Sequence, residues 1–143
     1  MRSAFLMLLI LSMFGISSGG EERIYGNSHL SYVVRVYDGD TFYGHIRSWP
    51  DIAGDTIGIR IYGIDTPEMR GVSDSIKILA IKAKELTESL VMSGKRVRLK
   101  NMRRGKYFRI VAEVWVGKKN VAEELIKAGL AKPYTGKEKK PGW

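Results

Sequence analysis

The sequence predicts an α+β fold, a five-stranded β-barrel carrying helices, and three observations lead there. Five short segments alternate apolar with polar residues, one long segment after the third switches to a helical period, and the connections are rich in Gly, Asp and Pro. Leu30 to Tyr37 ("LSYVVRVY") is β-branched and aromatic, as a strand requires, and Asp38-Gly39 reads as a type I′ hairpin turn into Thr41 to Arg47 ("TFYGHIR"). Ser48 to Thr56 is a Pro/Gly/Asp loop. In the third strand Ile57, Ile59 and Ile61 share one face, and Gly58, Arg60 and Tyr62 the other. Arg60 therefore points away from the apolar side and needs solvent or an anion.

From Ser75 to Ser93 the apolar residues Ile76, Leu79, Ala80, Ala83, Leu86, Leu90 and Val91 recur at helical spacing, and Gly94 closes the segment as a C′ glycine. Arg96 to Asn101 and Tyr107 to Val116 return to alternation. In the second of these, Phe108, Ile110, Ala112, Val114 and Val116 are expected on the core face, with Tyr107 and Arg109 opposite; Trp115 is also assigned to the core. A short helix runs from a cap at Asn120, with Glu123 in the capping-box place, to Gly129. The last eleven residues, with Pro133, Gly136, Pro141 and Gly142, make a poor helix. Five strands with a helix after the third are what an OB-type barrel requires.

Residues 1–20 read as a secretory signal: Arg2, an apolar run from Ala4 to Ile16, then "SSGG". The run is shorter than the ~20 residues of a spanning helix. Residues 21–143 are then one domain, large enough for a single core. With no Cys, disulfide frameworks and thiolate metal sites are excluded. The formal charge of +9 favours polyanions such as nucleic acid, anionic lipid or cell-wall polymer. His29 and His45 lack metal-ligand spacing.

The chemistry lies in the polar breaks between strands. Asp38-Gly39-Asp40-Thr41 carries an acid, Asp40, that a turn does not need, and "RIYGIDTPE" runs from Arg60 into Asp65 and Glu68. Aspartates at strand ends offer hard oxygen ligands for Ca²⁺ or Mg²⁺. Arginines on strands suit bidentate contact with phosphate, and a further acid is free to act on water. Those are the parts for hydrolysing a phosphodiester, whose transition state accumulates negative charge. The competing reading is a non-catalytic OB-fold module that binds nucleic acid by charge and stacking; it needs neither a metal pair nor a base.

Four motifs in this order, "VYDGDTF" (36–42), "RIYGIDTPE" (60–68), "KYFR" (106–109) and "AEELIKAGLAK" (122–132), resemble the staphylococcal nuclease (thermonuclease) family over most of residues 30–132. The resemblance implies an SNase-like OB-fold and a monomeric, calcium-dependent nuclease, secreted or periplasmic, that hydrolyses DNA and RNA at the 5′ P–O bond to leave 3′-phosphates. It implies Asp40, Asp65 and the main-chain carbonyl of Thr66 as Ca²⁺ ligands. Glu68 would activate or orient the attacking water, and Arg60 and Arg109 would bind the phosphate and stabilise five-coordinate phosphorus. Lys106 and Tyr107 match positions that contact a neighbouring nucleotide phosphate. A site with so few protein ligands is weak, which suits the ~10⁻³ M calcium outside cells. Three departures stand out: a longer loop at 48–56, Phe108 where the family has glycine, and "PYTGKEKKPGW" where the family archetype has a further helix. No stacking role carries over to that tail, and Tyr134 is a candidate by proximity.

Overall fold

The computed structural model describes residues 22–138 and 140–143; the signal read at 1–20 lies outside them. The elements are β1 (Ser28–Val36), β2 (Thr41–Ile46), a one-turn α1 (Asp51–Gly54), β3 (Ile57–Ile61), β4 (Ile64–Asp65), α2 (Asp74–Val91), β5 (Val97–Arg104), β6 (Arg109–Val116), β7 (Lys119–Asn120), α3 (Val121–Lys127) and β8 (Lys132–Pro133). Antiparallel pairing runs β3-β2-β1-β5-β6, and a parallel β3–β6 ladder closes the circuit into a five-stranded barrel. β7 pairs antiparallel beside the end of β6, while β4 pairs with β8 outside the barrel.

Alternation fills the barrel. Phe42, Ile46, Ile59, Ile61, Leu99, Ala112 and Val114 point inward and are fully buried. Each large apolar side chain so buried contributes roughly 1.5–3 kcal/mol. α2 starts where the Ser73 hydroxyl accepts a hydrogen bond from the Ile76 amide, and it lays Ala80, Ala83, Thr87 and Val91 on the barrel. α3 starts at Asn120, whose side chain accepts from the amides of Ala122 and Glu123, and it buries Val121 and Leu125.

Four local expectations are corrected. The Asp38-Gly39 turn is not type I′, because Gly39 has no positive φ. The glycine is there for contact instead: a Cβ on it would lie 2.8 Å from both Ala83 Cβ and Thr66 Oγ1. Thr87 Oγ1 donates a 2.6 Å hydrogen bond to the Gly39 carbonyl, fastening the turn beneath α2. The fourth strand does not stop at Asn101. It passes a bulge there, with Asn101 at φ 51°, and continues to Arg104. Consequently the next strand begins at Arg109 rather than Tyr107, and Tyr107 and Phe108 form a left-handed turn at φ 56° and 57°. Phe108 is thereby expelled from the core to 72 % exposure. Trp115 is not core either; it is half-buried on the outer face of β6, beneath the Lys100 ammonium.

Candidate active site

Strand pairing brings the polar breaks to one groove. Thr41, which opens β2, is in register with Arg60 near the end of β3, and Arg109, which opens β6, is in register with Gly58 near its start, so β3 carries both contacts along one strand. Asp40 enters β2 from the fastened turn, and Asp65 ends β4. The Arg60 guanidinium joins them: its Nη1 donates to Asp40 Oδ1 at 2.7 Å, and its Nη2 lies 3.5 Å from Asp65 Oδ1. Both aspartates are almost fully buried, at 3 % and 2 % exposure. Carboxylates 25 residues apart in the sequence thus share one guanidinium.

The groove above them has a volume of about 900 Å³, and Asp40, Arg60, Thr66, Glu68, Lys106, Tyr107 and Arg109 all line it. Asp65 lies beneath that lining, held to it through Arg60. Gly58 leaves room for the Arg109 stem, since a Cβ there would meet Arg109 Cγ at 3.0 Å. Arg109 donates from Nε to the Lys106 carbonyl at 3.3 Å, and among the described residues it forms no ion pair with an acid. Its guanidinium lies 5.8 Å from the centre of the Tyr107 ring, at the edge of the groove. Lys106 and Tyr107 stand on the exposed β5–β6 turn.

The description "Staphylococcal nuclease homologue" matches residues 58–142, more than half of the chain and every groove residue from Gly58 to Lys140. The chain belongs to the staphylococcal nuclease family. It is similar to "Probable endonuclease LCL3" of Pyricularia oryzae, at 33 % identity over 125 residues, covering 73 % of this chain and 48 % of that protein. It is also similar to "Probable endonuclease C19F8.04c" of Schizosaccharomyces pombe (30 %; 82 % and 60 % covered) and to the "Thermonuclease" of Staphylococcus hyicus (28 %; 87 % and 73 %). The chain spans about half the length of the first of these curated relatives.

In this member of the staphylococcal nuclease family the acids outnumber their partners. Asp38, Asp40, Asp65 and Glu68 cluster around two bases, Arg60 and Lys140. No group of three or more His, Cys, Asp or Glu among the described residues forms a ready cation cage. The donor chemistry nevertheless fits a hard divalent cation with few protein ligands: all donors are oxygens, and Asp40 and Asp65 engage their partners through Oδ1.

Burial, and next the charge of Asp40, push the Asp38 carboxyl up to about 7 from 3.8. A raised acid stabilises the fold fully below its unfolded value, and that contribution is lost as pH rises through the folded value. In chelator, Asp38→Asn is therefore expected to melt several degrees above the parent chain at pH 8. The difference should shrink steadily as pH falls from about 7 towards 3.8. Melting curves across that range, showing a constant gap, would contradict this.

Two residues of the site were not anticipated. Thr87 had a signal, a hydroxyl on the apolar stripe of α2, four residues after Ala83. Lys140 had none. Its Nζ donates to Glu68 Oε1 at 2.8 Å and lies 3.3 Å from Asp65 Oδ1, and the hydrogen bond to Glu68 is the main cause of its raised pKa. Tyr134 also lines the groove.

Proposed function

We propose that the protein is a calcium-dependent nuclease that hydrolyses phosphodiester bonds of DNA and RNA at the 5′ P–O bond, leaving 3′-phosphates, and that it acts outside the cytoplasm. The observation that carries this reading is the meeting of Asp40 and Asp65 on Arg60, in a groove that Glu68 and Arg109 also line. Similarity to proteins named endonuclease and thermonuclease supports it. Asp40, Asp65 and the Thr66 carbonyl would hold the cation, which when bound supplies a positive charge beside the phosphate.

Glu68 orients the attacking water and accepts its proton as the water oxygen bonds to phosphorus. As the P–O5′ bond breaks, the departing oxygen takes a proton from solvent. Arg60 and Arg109 donate hydrogen bonds to the non-bridging oxygens, which bear more charge in the five-coordinate state than in the ground state. Fixed on β3 and β6, they need little reorganisation as that charge develops. Lys106 and Tyr107, on the rim, receive a neighbouring phosphate; the basic surface draws in the polyanion.

Incubation of single-stranded DNA with the protein in calcium, and then in chelator, tests the proposal. Cleavage confined to calcium, with 3′-phosphate ends, is the expected result. Binding without cleavage in both would leave a nucleic-acid-binding module instead.

A further inference from the structure

After β8 the described residues 134–138 and 140–143 form a strap that returns to the groove, and its anchoring contacts do not use the carboxylates of Asp65 or Glu68. At its start, β8 pairs with β4, the strand that carries Asp65, and the Tyr134 amide donates to the Gly63 carbonyl at 2.9 Å. At its far end the Lys132 ammonium donates to the Gly142 carbonyl and lies 4.5 Å from the centre of the Trp143 ring. Between the anchors a turn is tied by the Thr135 amide donating to Glu138 Oε1 at 2.7 Å. Lys140 is thus delivered to Glu68 by contacts that do not involve Glu68.

Glu68 needs such a partner. Its side chain is 61 % exposed, and among the described residues the donor it receives is Lys140. A long, exposed carboxylate visits several rotamers, and only some point its oxygens over the groove. An isolated surface ion pair would do little to restrict them, because both side chains lose freedom on pairing. Here the strap has already ordered the backbone that carries the lysine, and nearly buried Asp65 gives the ammonium a second acceptor at 3.3 Å.

Resting on the nuclease reading, we propose that Lys140 is a positioning residue for the reaction: its ammonium holds the Glu68 carboxylate over the groove from which water attacks phosphorus. It touches neither water nor phosphate in this role, and the strap is what makes it available. Because it also stands beside Asp65, the same ammonium weakens the hold of that carboxylate on a cation, so the two effects of removing it have opposite signs.

The test compares the full chain with Lys140→Met, Lys140→Gln and Lys140→Arg on single-stranded DNA in saturating calcium, with calcium affinity measured separately by calorimetry. The charge-free variants are expected to lose about tenfold in kcat with KM little changed, while Lys140→Arg recovers most of the loss. Added to Glu68→Gln, Lys140→Met is expected to cost nothing further. Calcium should bind the charge-free variants as tightly as the parent chain or several-fold more tightly. Unchanged or raised kcat overturns the proposal and makes the lysine a mere counter-ion or a brake; so does a loss that multiplies with that of Glu68→Gln. A parent chain that leaves DNA intact in calcium overturns the nuclease reading as well, whereas cleavage by the parent with indifference to Lys140 overturns this inference alone.

Discussion

Arg60→Gln is expected to lower the melting temperature in chelator and to slow cleavage by about 10²–10³-fold. The first effect follows from what the guanidinium separates. The Asp40 and Asp65 side chains are 5 % and 3 % exposed, and both meet Arg60. Removing the shared cation leaves Asp40 without a counter-charge and Asp65 with only the half-exposed Lys140 ammonium, and breaking buried pairs costs about 3–5 kcal/mol. Arg60 itself is 21 % exposed, so water screens part of this, and about 2–3 kcal/mol is the expected loss. Calcium should restore part of it by returning positive charge to the same carboxylates. Thermal melts with and without calcium measure both quantities; an unchanged melt in chelator would mean that Arg60 does not support the pair.

Arg109→Lys is expected to give the opposite signature, an intact fold with cleavage again reduced about 10²–10³-fold. Arg109 makes one 3.3 Å hydrogen bond to the Lys106 carbonyl and no ion pair with an acid among the described residues. Its loss from the surface should therefore move stability by no more than about 0.5 kcal/mol. What lysine cannot supply is two parallel donors on a planar fork, so a phosphate that the guanidinium grips twice is held by a single point charge. Single-turnover rates alongside melting curves separate the two arginines. Near-normal turnover in Arg109→Lys, with an unchanged melt, would remove this residue from the mechanism.

The contrast between these arginines marks what sequence reading reaches. Alternation around Ile57, Ile59 and Ile61 put Arg60 on the face away from the core, and the barrel keeps it there, half-buried. The same reading failed at Phe108. Period-two alternation runs through Tyr107 to Val116 without a break, and nothing local reveals that the preceding strand gains three residues past a bulge at Asn101. The turn is pushed along the chain as a result, and Phe108 falls outside the ladder. At Asp38-Gly39 the glycine was legible but its reason was not: the requirement for a missing Cβ comes from Ala83 and Thr66, more than twenty residues away.

By itself the sequence determined the strand and helix order, the inward faces, and the polar breaks that carry Asp40, Asp65, Glu68 and the two arginines, because these depend on local periodicity and residue chemistry. Only the tertiary structure decided that Asp40 and Asp65 meet on one guanidinium, that Thr87 fastens the turn beneath them, and that a returning tail sets Lys140 against Glu68. Apart from the approach of Arg60 to Asp65, five residues apart, those contacts join residues 20 to 72 apart. Pairing of β2 with β3, packing of α2 on the turn and docking of β8 on β4 bring them together, and no pattern confined to neighbouring residues encodes any of these.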